Sequence, residues 1–126
     1  MNRRVSRTCE PTACGSLQAP SGNLALLRAV SRNAPSGVEV VPFDRLADLP
    51  FFNPDLDTGD GPPAVDEWRR AVAGANALLI ASPEYGHSLP GVVKNGIDWL
   101  IGPAELIARS SRSLRLLSIL IVAGWD

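Results

Sequence analysis

Positive charge is scarce in this 126-residue sequence, where twelve lysine and arginine residues face thirteen acidic ones, for a formal net charge of −1. Non-specific nucleic-acid binding requires a broad positive field, so we predict no nucleic-acid partner. Long apolar runs are also missing. The best one, residues 114–123, is interrupted by Arg115 and falls short of the roughly 20 residues of a membrane helix. We therefore predict no membrane contact.

Cysteine is equally scarce, since Cys9 and Cys14 are the only two. One such pair is too few for a disulfide scaffold or a four-ligand zinc site, so we predict free thiols and no metal centre. The arginine-rich start, MNRRVSRT, is not followed by the apolar segment that a secretory signal contains. These features predict a cytoplasmic protein.

The size and composition fit one globular domain spanning residues 1–126. Domains usually run to about 100–200 residues, which leaves no room for a two-domain enzyme. Hydrophobic residues make up 45% and charged residues 20% of the chain. Because this usage is ordinary for folded proteins, we expect an apolar core and exclude disorder over the whole length.

Helix and strand patterns alternate along the middle of the chain. Apolar residues at helical spacing predict helices over 23–34, 64–73 and 89–100, whereas short β-branched or apolar runs predict strands over 38–43 and 77–82. This alternation is typical of an α/β domain with a parallel sheet and right-handed crossovers. The segment 77–82, ALLIAS, is expected at the centre of the sheet, because it is apolar on both faces.

Two loops are expected at the carboxyl edge of this sheet, where such folds bind ligands. The first, GSLQAPSGN, has Ser16, Ser21 and Asn23 just before a helix, where backbone N–H groups and hydroxyls can surround a phosphate. A loop that merely caps the helix is the alternative. A Walker-type triphosphate loop is a poor fit, because Lys94 is the only lysine. The second loop, PEYGHS, follows the central strand.

The second loop opens a longer segment, PEYGHSLPGVVKNGIDWL, at residues 83–100. This segment closely resembles the signature of the NADPH-dependent FMN reductase family, a flavodoxin-like group that includes quinone and chromate reductases. GSLQAPSGNLALL resembles that family's phosphate loop, and DLPFFNPDLD fits the link between the two. The resemblance covers residues 15–105. It implies a flavodoxin-like, three-layer, doubly wound parallel sheet.

Carried across position by position, the resemblance implies an FMN site with NADPH as the hydride donor. The residues that would hold the phosphate are Gly15, Ser16, Ser21 and Asn23, with Gly15 allowing close backbone approach. The residues that would embrace the flavin ring, mostly through backbone groups, are Pro83, Glu84, Tyr85 and Gly86. Where the family usually has arginine this chain has Gln18, which removes a charge-assisted contact worth about 1.5–3 kcal/mol.

The chemistry that the resemblance implies is hydride transfer from NADPH to FMN and then to a small acceptor, such as a quinone, a flavin or a metal oxyanion. Because the cofactor carries the redox chemistry, we assign no catalytic residue. His87, the only histidine, is interpreted as a solvated rim residue. Tyr85 either packs on the ring or fills a rim. Trp99 is interpreted as a packing residue that also fits a homodimer contact.

Two other functional classes remain as alternatives to the oxidoreductase. One is a non-catalytic, truncated flavodoxin-like remnant that binds flavin weakly or not at all. The other is a plain phosphate-binding module, which requires the likeness of the PEYGHS loop to be coincidental. The visible spectrum of the purified chain separates these classes, because bound flavin is coloured.

Both ends of the chain depart from the family's pattern. Upstream, RTCEPTA at residues 7–13 is polar and contains Pro11, which poorly suits a central strand, so we expect residues 1–12 to be disordered. Downstream, residues 106–126 are atypical, because the family continues through a further strand, a third flavin loop and another helix and strand. The fold is therefore expected to be incomplete, with residues 114–123 covering an exposed strand edge or apolar face.

Overall fold

A parallel sheet flanked by helices forms the body of the protein. The computed structural model describes residues 8–59, 61–73, 75–101 and 116–121. In chain order the elements are β1 (Thr8–Cys14), α1 (Gly22–Arg32), β2 (Val38–Phe43), α2 (Pro63–Ala73), β3 (Ala77–Ser82), α3 (Gly91–Ile101) and β4 (Leu116–Ile121). Two one-turn 3-10 helices, Leu46–Asp48 and Pro54–Leu56, lie between β2 and α2. The predicted alternation of helices and strands is confirmed.

The four described strands pair in parallel in the order β2-β1-β3-β4. The direction of strand addition reverses between β1 and β3, as in a doubly wound sheet. Helix α1 packs on β1, β2 and β3, while α2 packs on β1 and α3. Right-handed crossovers place α1 on one face and α2 with α3 on the other, which gives the predicted three layers. The predicted central position of ALLIAS is confirmed, because β3 lies between β1 and β4.

Two buried tryptophans organise the core between the sheet and helices α2 and α3. Trp68 and Trp99 are both 0% exposed. The Trp68 indole N–H donates to the Gly96 carbonyl at 2.9 Å, and the Trp99 indole N–H donates to the Pro50 carbonyl at 2.7 Å. Both rings therefore bury their apolar surface without leaving a polar group unpaired. The packing role predicted for Trp99 is confirmed, and Trp68 packs in the same core.

Strand β1 corrects the prediction that residues 7–13 are poorly suited to a central strand. Thr8–Cys14 lies between β2 and β3. Pro11 has no backbone N–H and so cannot donate a hydrogen bond to a neighbouring strand. It is tolerated because β1 pairs with β3 only from Thr12 onward, and at Pro11 the strand is paired with β2 alone. Just before it, the Glu10 carboxylate accepts a hydrogen bond from the Ala77 backbone N–H. The expected disorder of residues 8–12 is wrong, and residues 1–7 lie outside the described part.

The C-terminal apolar run forms a strand next to β3, on the side opposite β1. Leu116–Ile121 pairs with β3 over all six of its residues, from Ala77↔Leu116 to Ser82↔Ile121. The prediction that this run covers an exposed strand edge is confirmed, and it does so as a strand. The rest of residues 106–126 lies outside the described part of the chain.

Candidate functional site

The two loops singled out in the sequence lie side by side at the carboxyl edge of the sheet. One connects β1 to α1 and the other connects β3 to α3. The Gly15 backbone N–H donates to the Ala81 carbonyl at 2.7 Å, so the first loop starts directly beside the end of β3. The prediction that both loops share one edge is confirmed. This edge lies at the reversal of strand order, where doubly wound sheets bind ligands.

Gly15 makes this close approach of the two loops possible. A Cβ atom at Gly15 would lie 2.6 Å from Ser82 Oγ and 2.7 Å from Val93 Cγ2. Separations this short are sterically prohibited for a real Cβ, so β3 and α3 require glycine here. The close approach at Gly15 is therefore to the protein's own side chains.

The serines of the first loop surround the N-terminus of α1. Ser21 is the N-cap, with extended backbone geometry, and its hydroxyl oxygen accepts from the Leu24 backbone N–H at 3.3 Å. The Ser16 hydroxyl oxygen accepts from the Gln18 backbone N–H, also at 3.3 Å. Ser16, Ser21 and Asn23 are all buried. They form a polar, pre-organised loop at the positive end of a helix dipole.

A cleft of about 240 Å³ opens beside this loop. Its walls come from the β1–α1 loop and from the chain that follows β2; the lining residues are Cys14, Ser16, Leu17, Gln18, Ala19, Leu24, Phe43, Asp44, Leu46 and Ala47. Ser16 and Gln18 thus face the cleft, whereas Ser21 and Asn23 do not line it. Among the residues that the structure describes, no lysine or arginine lines it, and Asp44 adds a carboxylate.

Sequence reasoning missed the wall that follows β2. The sequence alone indicates that the carboxyl end of any parallel strand beside β1 lies at the same edge as the first loop. It does not indicate that β2 is the strand beside β1.

The second loop is a tight two-residue turn. Tyr85 and Ser88 exchange two backbone hydrogen bonds of 3.0 Å, and both residues between them have positive φ, 57° at Gly86 and 60° at His87. Positive φ at both central positions is the geometry of a type I′ turn. Tyr85 is 48% exposed beside it. Neither this turn nor Pro83 and Glu84 lines the 240 Å³ cleft, so the structure places this second loop next to the first loop but outside the cleft beside it.

Among the described residues of the second loop, the titratable side chains are Glu84, Tyr85 and His87. The His87 side chain is fully exposed, with Nδ1 3.5 Å from Glu84 Oε1, as expected for a solvated rim residue.

Cys9 lies at the far end of β1, where desolvation and then the Glu39 and Glu10 carboxylates raise the pKa of its thiol. A thiol with a raised pKa is a poor nucleophile.

Neither a metal-binding cluster nor a membrane-spanning helix occurs within residues 8–59, 61–73, 75–101 and 116–121. Among those residues, no three His, Cys, Asp or Glu side chains are grouped closely enough to hold a metal ion. Nor does any helix there have the length and apolar character needed to span a membrane.

The two loop glycines are expected to respond differently to alanine. Gly15→Ala should destabilise the fold by about 1–3 kcal/mol, because the new Cβ overlaps Ser82 and Val93. A Cβ atom at Gly86 would have no neighbouring atom within 4 Å. The destabilisation caused by Gly86→Ala should therefore come from the positive φ alone and amount to about 1 kcal/mol. Gly86→Asn should recover most of that loss, since asparagine adopts positive φ more readily, whereas Gly15→Asn should be worse than Gly15→Ala. Urea unfolding followed by tryptophan fluorescence measures all four variants, and equal sensitivity at both sites would contradict this account.

The fold and the two loops define a class of protein, a doubly wound flavodoxin-like α/β domain with a phosphate-type loop before its first helix. The model of one such family, NADPH-dependent FMN reductase, matches residues 13–123. The chain belongs to this family.

Curated relatives and a solved structure support this assignment. The chain is 37% identical over 105 residues to an NAD(P)H:quinone oxidoreductase from Solanum tuberosum, covering 80% of this chain and 54% of the relative. It is 40% identical over 91 residues to an NAD(P)H-dependent FMN reductase from Pseudomonas aeruginosa, covering 72% and 49%. The structure of FerB, a flavoenzyme NAD(P)H:(acceptor) oxidoreductase from Paracoccus denitrificans, superposes with a TM-score of 0.76 at 28% identity, covering 90% of this chain and 60% of FerB. The chain spans about half the length of these two curated relatives.

Proposed function

We propose that this chain binds FMN at the carboxyl edge of its sheet and acts as an NAD(P)H-dependent oxidoreductase toward small acceptors of the quinone type. The observation that carries the proposal is the hydrogen-bonded serine loop at the N-terminus of α1, placed beside the turn that follows β3. The names of the potato and Pseudomonas relatives, a quinone oxidoreductase and an FMN reductase, support this reaction class.

The phosphate of FMN is proposed to sit in the 240 Å³ cleft. Ser16 accepts the Gln18 N–H, and its hydroxyl hydrogen still serves as a donor, because a hydroxyl has one donor and two acceptor positions. The Gln18 side chain adds amide donors, and the dipole of α1 favours an anion. Gly15, Ser21 and Asn23 are proposed to hold the loop in this conformation. The donor set therefore fits a phosphate.

The charges around the cleft fit the phosphate less well than the donors do. Gln18 provides no positive charge, and Asp44 lines the same cleft. A carboxylate near a phosphate raises the free energy of the complex, most strongly at low ionic strength. We therefore expect FMN binding in the micromolar range or weaker, and a preparation that is largely colourless. The same observation favours the second candidate function, a flavodoxin-like remnant with little flavin binding.

The flavin ring is proposed to lie against the turn after β3. Backbone groups of Pro83, Glu84 and Gly86 would face its edge, and Tyr85, which is half-exposed, would lie beside it. Bound FMN would supply the hydride chemistry, with NADPH as donor, while these residues position the ring and limit its contact with water. We assign no catalytic residue.

Localisation and assembly also enter as proposals. We propose a cytoplasmic protein, in keeping with the free thiols of Cys9 and Cys14. A homodimer is proposed on the resemblance to the family. The electron acceptor is proposed to be a quinone, a flavin or a metal oxyanion.

Fluorescence titration with FMN and with riboflavin tests the proposal, because riboflavin lacks the phosphate. We expect FMN to bind more tightly than riboflavin, and Ser16→Ala to weaken FMN while leaving riboflavin unchanged. NADPH added without oxygen should then bleach the bound flavin. Equal affinity for the two flavins would contradict a phosphate site at this loop. FMN binding without bleaching would support the remnant.

A further inference from the structure

A second cavity, which the proposed flavin chemistry does not use, lies between α1 and the carboxyl end of β2. Its volume is about 520 Å³. Pockets for small molecules typically measure roughly 300–1,000 Å³. We call this cavity the α1–β2 groove. Its size suits a small organic ligand.

The walls of the groove are apolar along most of its length. Leu24 and Leu27 contribute from α1, and Pro42 and Phe43 contribute from the end of β2. Apolar walls favour a ligand whose body is hydrocarbon or aromatic, since its transfer from water releases free energy in proportion to the apolar area buried.

Two cations and a hydroxyl face the same groove from α1. Arg28, Ser31 and Arg32 are three and four residues apart, so they lie on one side of the helix. Like charges four residues apart repel each other, and an anion bound between them removes that repulsion. The two guanidiniums therefore mark one place in the groove where a negative charge is stabilised.

These two arginines differ from other cations of the protein. Arg45, Arg69 and Lys94 each face a carboxylate within the fold. Within residues 8–59, 61–73, 75–101 and 116–121, no carboxylate lies within 4.0 Å of either Arg28 or Arg32 to form such a pair. Among these residues, none neutralises the two guanidiniums.

The groove carries a negative charge near one end and positive charges near the other. The groove adjoins the 240 Å³ cleft, and the residues that line both are Cys14, Leu24, Phe43 and Asp44. Arg28, Ser31 and Arg32 line only the groove. An anion is therefore repelled at the end near the cleft and attracted at the end near the arginines. A ligand with one charged end has one preferred orientation.

We propose that the α1–β2 groove binds a small amphipathic anion, with its apolar body against Leu24, Leu27 and Pro42 and its charged group between Arg28 and Arg32. The charged end of this site, at Arg28 and Arg32, lies outside the cleft proposed for the FMN phosphate, although the two cavities share a wall. The recognised chemistry is an aliphatic or aromatic chain that ends in one carboxylate.

Octanoate, 1-octanol and acetate test this proposal, because octanol lacks the charge and acetate lacks the chain. Titrations of the ¹⁵N-labelled protein are followed by two-dimensional NMR. We expect octanoate to shift amides of α1 and β2, octanol to bind about tenfold more weakly, and acetate to give no shift at the same concentration. Equal binding of octanoate and octanol would overturn the proposal, and so would octanoate shifts centred on residues 83–88.

Paired variants separate the arginine site from a general effect of charge. Replacing both arginines, in Arg28→Gln/Arg32→Gln, should weaken octanoate about tenfold or more and leave octanol unchanged. Arg28→Lys/Arg32→Lys should restore most of the affinity. Arg70→Gln is the matched control, since it removes one exposed arginine from the last turn of α2. If Arg70→Gln weakened octanoate as much as the double variant, the proposed site would be wrong.

Discussion

Replacing Gln18 with arginine is expected to tighten FMN binding by about ten- to hundred-fold. Gln18 lines the cleft beside Ser16, and no lysine or arginine of the described part of the chain lines it. A guanidinium there would form a charge-assisted hydrogen bond to the phosphate, worth about 1.5–3 kcal/mol. Each 1.4 kcal/mol corresponds to about a factor of ten in the dissociation constant. Quenching of FMN fluorescence measures the change.

The controls for this variant separate charge from contact area. Gln18→Met keeps a side chain of similar length without charge and should not tighten FMN. Asp44→Asn should also tighten FMN binding, but by less than Gln18→Arg does, because an exposed carboxylate is screened by solvent. Riboflavin should gain little from either change. An arginine variant that binds riboflavin and FMN with equal improvement would show that the cleft does not receive the phosphate.

Trp68→Ala is expected to lower the free energy of unfolding by about 3–5 kcal/mol, the usual loss for a fully buried large aromatic residue. The indole is 0% exposed, packs 4.8 Å from the Phe43 ring and donates to the Gly96 carbonyl. Stabilities of small domains are about 5–15 kcal/mol, so this variant should be close to unfolded. Urea denaturation followed by far-ultraviolet circular dichroism measures the loss.

Two further variants calibrate this result. Trp68→Phe keeps an aromatic ring but leaves the Gly96 carbonyl without the indole donor, so we expect a smaller loss, about 1–3 kcal/mol. Phe51→Ala removes an aromatic side chain that is 90% exposed and should change stability by less than about 0.5 kcal/mol. Losses of similar size at Trp68 and Phe51 would contradict the assigned core.

The elements that the sequence predicted well are those whose own residues dictate their environment. ALLIAS is apolar on both faces, and the structure buries one face fully and the other in part. The apolar spacing of α2 directs Trp68 into the core. Strand β1 was not predictable in the same way. Its polar residues contact segments distant in the chain, and Pro11 costs no strand hydrogen bond to β3 because that pairing starts at Thr12. Both features depend on the register between strands, which the pattern of neighbouring residues in the sequence does not reveal.

The candidate site was predictable loop by loop but not as a whole. Ser21 directly precedes a helix, and that position alone indicates its capping geometry. The contribution of Asp44 was missed, because it requires knowing that β2 lies beside β1. The steric need for Gly15 was likewise hidden, since Ser82 and Val93 are more than sixty residues away in the chain. Both features arise from strand order and close packing between segments.

The central claim is that both loops at the carboxyl edge hold one flavin. Titration of the ¹⁵N-labelled chain with FMN, followed by two-dimensional NMR, tests it most directly. We predict that amides in residues 15–24 and in residues 83–88 shift together, with one common dissociation constant, and that riboflavin shifts the second group more than the first. Shifts confined to one loop, or found away from both, would contradict the claim.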